Sequence, residues 1–219
     1  PAYAALNVEL ARGQSILVES SAMAGMDTSL KMKSSMRGGI GKGIGRLVSG
    51  ESLFVSEFTA SDKGGNLYLS PAVPGDICHY YLDGEQKLMV QSSGFLASSP
   101  TVETETQFEG ARGFFSGEAL FLIRAVGEGD FWFNSYGAIV EIPVSGEYVV
   151  DTGYIVAFED SLYYSVEIIG GLSFKNLRTS IFGGEGLVCR FRGEGRVWIQ
   201  SRQLSQLINF FHPFRDTKN

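Results

Sequence analysis

The sequence predicts an all-β fold of three internal repeats of short antiparallel strands, and three observations carry that expectation. The first is an eight-residue phrase that occurs three times without a gap. Leu47-Val48-Ser49-Gly50-Glu51-Ser52-Leu53-Phe54 returns as Phe114-Phe115-Ser116-Gly117-Glu118-Ala119-Leu120-Phe121 and as Ile181-Phe182-Gly183-Gly184-Glu185-Gly186-Leu187-Val188. Gly50, Gly117 and Gly184 stand 67 residues apart each time, and recurrence at a fixed period marks a repeat architecture. The second is another phrase that follows each copy: Gly65-Asn66-Leu67-Tyr68-Leu69-Ser70, Gly129-Asp130-Phe131-Trp132-Phe133-Asn134 and Gly195-Arg196-Val197-Trp198-Ile199-Gln200. Three consecutive apolar residues point to both faces of a strand, so both faces are expected to be covered. The third is composition. The 219 residues are 44% hydrophobic and 12% aromatic, and 28 glycines fall between short apolar runs as turn residues do.

The elements follow in order. Each Gly-Glu phrase reads as a strand entry, because glycine permits the tight approach of a turn and the residues after it suit a sheet. Ser61-Asp62-Lys63-Gly64, Glu128-Gly129 and Gly193-Glu194-Gly195 look like hairpin connections, so each repeat is expected to begin with an antiparallel pair. Strands at 75–82 and 137–144 come next, each ending in a Gly-Glu turn, then return strands at 88–91 and 148–151. Runs at 95–98 and 154–157 and final strands near 102–105 and 163–167 complete the first two repeats. The third stops short. After Gln200, Leu204, Leu207, Ile208 and Phe211 are spaced as one apolar stripe of a short helix halted by Pro213.

The missing strands are expected at the other end. Arg12-Gly13-Gln14 matches the Gly-Glu turn, and Ile16-Leu17-Val18-Glu19 matches the return strand. The expected organisation is a single domain, 1–219, with repeats at 43–110, 111–177 and 178–201. Residues 1–36 complete the third repeat, and a C-terminal helix occupies 202–212. Closure by the N-terminal strands removes exposed sheet edges.

These residues resemble the family of bacterial and archaeal proteins related to the altered-inheritance-of-mitochondria protein of yeast. The resemblance covers nearly the whole chain. It is carried by the phrase at 47–54, by Ser93-Gly94-Phe95-Leu96-Ala97-Ser98-Ser99-Pro100, and by Gly183-Gly184-Glu185-Gly186-Leu187-Val188. It implies the fold named after the tryptophan RNA-binding attenuation protein (TRAP-like, double-stranded β-helix-like units), here triplicated in one chain. Such a resemblance bears on fold more than on function.

Charge narrows the partners. At a net charge of −6 the chain lacks the basic balance of most nucleic-acid binders, whose affinity comes largely from neutralising phosphates. No apolar run approaches the roughly 20 residues of a membrane span. Cys78 and Cys189 lie in apolar strand-like runs and are expected to be small buried hydrophobes rather than a disulfide. No charged-then-apolar signal segment opens the chain, and cytoplasm is the expected location.

Few residues suggest chemistry. His79 and His212 are the only histidines, too few for a zinc set, and Cys78 and His79 are adjacent on a strand and so face opposite ways. No cofactor is expected. The glycine-rich run at 38–46 lacks the Ser or Thr of a phosphate loop and precedes a strand rather than a helix. Arg37, Lys42 and Arg46, with Lys31 and Lys33, nevertheless make it the one basic segment of an acidic chain, a candidate anion or partner contact. The repeated pairs Gly50 and Glu51, Gly117 and Glu118, Gly184 and Glu185 are read as structural signatures. Arg46, Arg112 and Arg178 are near enough to fold back on the glutamates.

The expected function is that of a non-enzymatic structural or interaction protein, a self-associating β scaffold. A homo-oligomer, expected as a trimer, and a protein partner are the anticipated contacts. Alternatives are a nucleic-acid-binding module using the basic run, a small-ligand binder using Tyr68, Trp132 and Trp198, and an enzyme using Glu118 or Glu185.

Overall fold

The computed structural model describes residues 3–36, 54–107, 122–168 and 187–214. Their strands fall in three stretches of chain. β1 (Leu6–Leu10), β2 (Ser15–Glu19), β3 (Met23–Met26) and β4 (Leu30–Met36) precede β5 (Phe54–Ala60) and β6 (Gly65–Leu69). β7 (Ile77–Asp83), β8 (Leu88–Gln91), β9 (Phe95–Ser98) and β10 (Val102–Gln107) precede β11 (Leu122–Asn134). β12 (Ile139–Asp151), β13 (Ile155–Glu159) and β14 (Tyr163–Ile168) precede β15 (Leu187–Gln200), and one helix, α1 (Leu204–Phe211), follows. Among the described residues no helix is long and apolar enough to cross a membrane.

Among the described residues all pairs of named strands are antiparallel, with one isolated parallel bridge between Gly75 and Gly137, and the long strands organise them. The first half of β11 lies between β10 and β8, and its second half between β7 and β9. β15 is flanked by β14 and the second half of β12, then by the first half of β12 and β13. β5 sits between β2 and β4, while β6 sits between β1 and β3. Two further pairings join the stretches, β9 with β2 and β13 with β8.

Several expectations need correction, among them the turn at Gly146-Glu147, where β12 instead runs on unbroken. The glycine connections do not make hairpins, because β5 does not pair with β6 and each half of β11 and β15 is occupied by other strands on both edges. β11 instead runs on for 13 residues and bends at Gly127 and Gly129, whose φ values of 110° and 146° suit glycine alone. A Cβ at Gly127 would collide with the Thr101 carbonyl. The second correction concerns closure. Residues 16–19 pair with β5, and Leu17 and Val18 with β9, whereas the partners of β15 are β12, β13 and β14. Residues 1–36 therefore do not complete a unit at 178–201.

Burial follows the pairing. Phe95, Phe131, Phe133 and Trp198 lie in one core cluster with β8 and β9, and Phe58, Leu67 and Leu69 in a second around the N-terminal strands. Phe158, Cys189 and Phe191 belong to a third. The helix does not pack as the apolar spacing predicts. None of its residues is buried, and a 3-10 turn, His212–Phe214, carries the chain through Pro213 rather than ending at it.

Gly75 offers a direct check, because a Cβ there would overlap the Ser135 carbonyl and meet Gly137 backbone. Gly75→Ala is expected to cost about 3 kcal/mol in urea unfolding, at the upper end for overpacking. Gly13, with φ 72° and open space around it, should cost roughly 1–2 kcal/mol when changed to Ala.

Candidate functional site

The repeat-signature residues Gly50, Glu51, Gly117, Glu118, Gly184 and Glu185 lie outside the described residues, as do Arg37, Lys42 and Arg46. The three aromatics weighed as a ligand pocket are not brought together. Trp198 is buried in one cluster, Trp132 packs against another, and Tyr68 is 52% exposed on β6.

A different cluster forms where β13 meets β8 and β15. Glu159 ends β13, and its side chain is only 12% exposed. Its Oε2 accepts from the Arg196 backbone N–H at 2.8 Å, and its Oε1 accepts from Arg196 Nε at 2.8 Å and from Tyr80 Oη at 3.1 Å. The same hydroxyl lies 2.8 Å from Gln86 Oε1, so its single proton is shared between the two acceptors. The Arg196 guanidinium sits 5.3 Å from the Tyr80 ring centroid and 5.0 Å from that of Trp198, in range for cation–π attraction. Trp198 Nε1 donates to Glu141 at 2.9 Å. Burial, with the Glu159 charge adding to it, pushes the Tyr80 phenol up to about 12.

The cluster ties four strands, β7, β12, β13 and β15, from two stretches of chain, and its chemistry is positional. The carboxylate is held by three donors, and the tyrosine is kept neutral rather than activated. Beside it lies a polar cleft of about 480 Å³ lined by Glu85, Gln86, Lys87, Glu159, Asp160, Ser161 and Glu194. Four carboxylates against one lysine give it no complement for an anion, and among the described residues no group of acids, histidines and cysteines is placed to hold a metal. Sequence reasoning passed over Glu159 and Arg196. The available signal was the polar second residue of each Gly-polar-apolar-aromatic phrase.

That position is capped in every copy. The backbone N–H of Asn66 donates to Asp27 at 2.8 Å, that of Asp130 to Ser99 Oγ at 3.0 Å, and that of Arg196 to Glu159 at 2.8 Å. The acceptor is in each case the side chain just after, or at the end of, the strand alongside.

Other titratable groups on the strands make local contacts. His79 Nε2 lies 2.8 Å from Asp130 Oδ1, with its ring 5.2 Å from Trp132, and Cys78 turns to the core side of the same strand. Both cysteines are free; burial raises Cys78 to about 11 and Cys189 to about 12, so neither is poised as a thiolate. On the outer face Arg190 and Arg192 bridge β14 and β12. Hydrogen bonds from Arg192 hold the Glu147 carboxyl below its usual range, and those from Arg190 do the same for Glu167.

Comparison with known proteins agrees with the sequence resemblance. The family described as "Mitochondrial biogenesis AIM24" matches residues 1–202, and the chain belongs to it. An uncharacterized protein of Streptococcus pyogenes serotype M6 is 29% identical over 98% of this chain and 88% of its own length. A crystal structure of a Streptococcus pyogenes protein superposes with a TM-score of 0.80 at 26% identity, covering 98% of this chain and 96% of that one.

Two measurements test the cluster. Glu159→Ala leaves Arg196 and Tyr80 without their acceptor and should cost roughly 1–3 kcal/mol in urea unfolding. The Tyr80 pKa is raised on folding from 10.0 to about 12, so the native state holds the proton more tightly. Its contribution to stability is intact below pH 10 and is lost as pH rises towards 12. Tyr80→Phe should flatten the fall in stability across that window.

Proposed function

We propose that this family member is a non-enzymatic β scaffold of three like units that self-associates. The units are 6–69, 77–134 and 139–200. They replace the boundaries drawn from the 67-residue spacing, which marks where the phrase recurs rather than where a unit begins.

One observation carries the reading. Four strand segments lie on the two edges of a two-part long strand in the same way in each unit: β1 to β4 on β5 and β6, β7 to β10 on β11, and β12 to β14 on β15. The irregularities coincide as well. β3, β9 and β13 each shift register by one residue against the long strand, between Met23 and Gly25, opposite Trp132 and Phe133, and between Ile155 and Ala157. A bulge recurring at one place is a built feature rather than a defect. The side-chain caps from Asp27, Ser99 and Glu159 fall at matching positions. These matches support the triplication that resemblance to the TRAP-like fold implies.

Uncovered apolar surface supports self-association. On α1 and the turn after it, Ile208, Phe210, Phe211 and Phe214 are between 51% and 75% exposed. An eight-residue helix without a side-chain cap gains little from propensity alone, so a packing partner for that face is expected. A trimer is the anticipated state, since three-fold assembly stacks naturally on a three-unit chain.

Sedimentation equilibrium and native mass spectrometry of the full chain test this. A discrete multiple of the 23.8 kDa chain mass is expected, with no retained small molecule. A monomer at the highest soluble concentration would remove the self-associating reading, and a stoichiometric retained ligand or nucleic acid would replace it.

A further inference from the structure

We propose that copies of this chain join head to tail by strand pairing, β3 of one copy lying antiparallel to residues 147–151 of β12 in the next. The inference rests on the three-unit reading above and names the surface through which the scaffold grows.

Inside the chain one rule joins successive units. The third strand of a unit pairs with the second strand of the unit before it: β9 with β2, and β13 with β8. The registers agree, Ala97 opposite Val18 and Ala157 opposite Val90, then Ser98 opposite Leu17 and Phe158 opposite Met89. The rule leaves one half-junction at each end of the array. Among the described residues β3, the third strand of the first unit, forms a ladder with β6 only, while residues 147–150, in the second strand of the third unit, form one with β15 only.

Burial separates joined from unjoined strands. Every residue of β8 and β9 is buried, as are residues 155–158 of β13. Met23 and Met26 of β3 are 38% and 40% exposed, and Tyr148 and Val149 of β12 are 40% and 42% exposed. β3 has no charge and no proline to discourage pairing, and an exposed apolar edge of that kind is a template for another strand. The other edge strands are edges in all three units, and several are guarded by charge, with Lys31 and Lys33 on β4 and Glu103 and Glu105 on β10.

A second copy of the chain is the occupant that fits, because it alone carries the complementary strand in the register already used twice. Transferring that register sets Gly25 opposite Val150 of the partner subunit and Met26 opposite Val149 of the partner subunit. The contact is heterologous, so it generates a closed ring or a filament rather than a two-fold dimer. The helix lies at the same end as the β12 edge, since Gln203 donates to Asp151 at 3.3 Å and Tyr154 donates to Gln206 at 3.3 Å.

Complementary blocked variants test the inference by sedimentation velocity. Met26→Lys blocks one edge and Val149→Lys the other, each at a side chain the single chain leaves exposed. Wild-type protein should form assemblies larger than a dimer, each variant alone should be monomeric, and an equimolar mixture should stop at a 1:1 dimer, using the one intact edge of each. Unchanged cooperative melting qualifies each variant; Met23→Lys and Tyr148→Lys form a second pair if either fails. Assembly of the variants as in wild type, or a mixture without dimers, overturns the edge junction while leaving self-association through another surface standing. A monomeric wild type overturns both.

Discussion

Occupation of both edges of β11 and β15 is the constraint on which the rest of the structure depends. Each half of these strands is hydrogen-bonded to a different neighbour on either side, so four strand segments are held by one continuous backbone. That arrangement forbids the hairpin suggested by the glycines at mid-strand. It also turns side chains of the long strands into the core clusters, and Phe131, Phe133, Val197 and Trp198 are buried there. Short flanking strands of four or five residues would be marginal alone. They persist because their partners are shared.

The polar Glu159 cluster follows from the same geometry. β13 must meet β15 on one edge and β8 on the other, and its last residue emerges where the two pairings diverge. A carboxylate there reaches the Arg196 backbone and guanidinium together, and the Tyr80 hydroxyl besides. Removing one member of such a set costs more than the set contributes, because the remaining groups keep their desolvation penalty. The cluster therefore specifies the junction more than it stabilises it.

Much of this was legible in the sequence. The all-β class and the strands that hold Leu67-Tyr68-Leu69, Phe131-Trp132-Phe133 and Val197-Trp198-Ile199 are legible from apolar patterning alone. The pairing partners did not. Gly193-Glu194-Gly195 reads as a turn in one dimension, and only the flanking strands reveal a bend within β15. The N-terminal strands read as partners of β15 because the conspicuous phrase begins at residue 47, which makes everything before it look like a remainder; they pair instead with β5, β6 and β9. The Glu159–Arg196 contact spans 37 residues and no local pattern announces it. The helix failed for the opposite reason: its periodicity was plain, but a stripe does not say whether its own chain supplies the surface that covers it.

If the three proposed units are joined by the pairing of β9 with β2 and of β13 with β8, the matching strands at the two ends are left open among the described residues. Amide hydrogen exchange in dilute solution, resolved by segment, reads this most directly. The account predicts slow exchange in β8, β9 and β13 despite their shortness, and faster exchange in β3 and residues 147–151, which slows as protein concentration rises. Equal protection of all five segments at high dilution would contradict it.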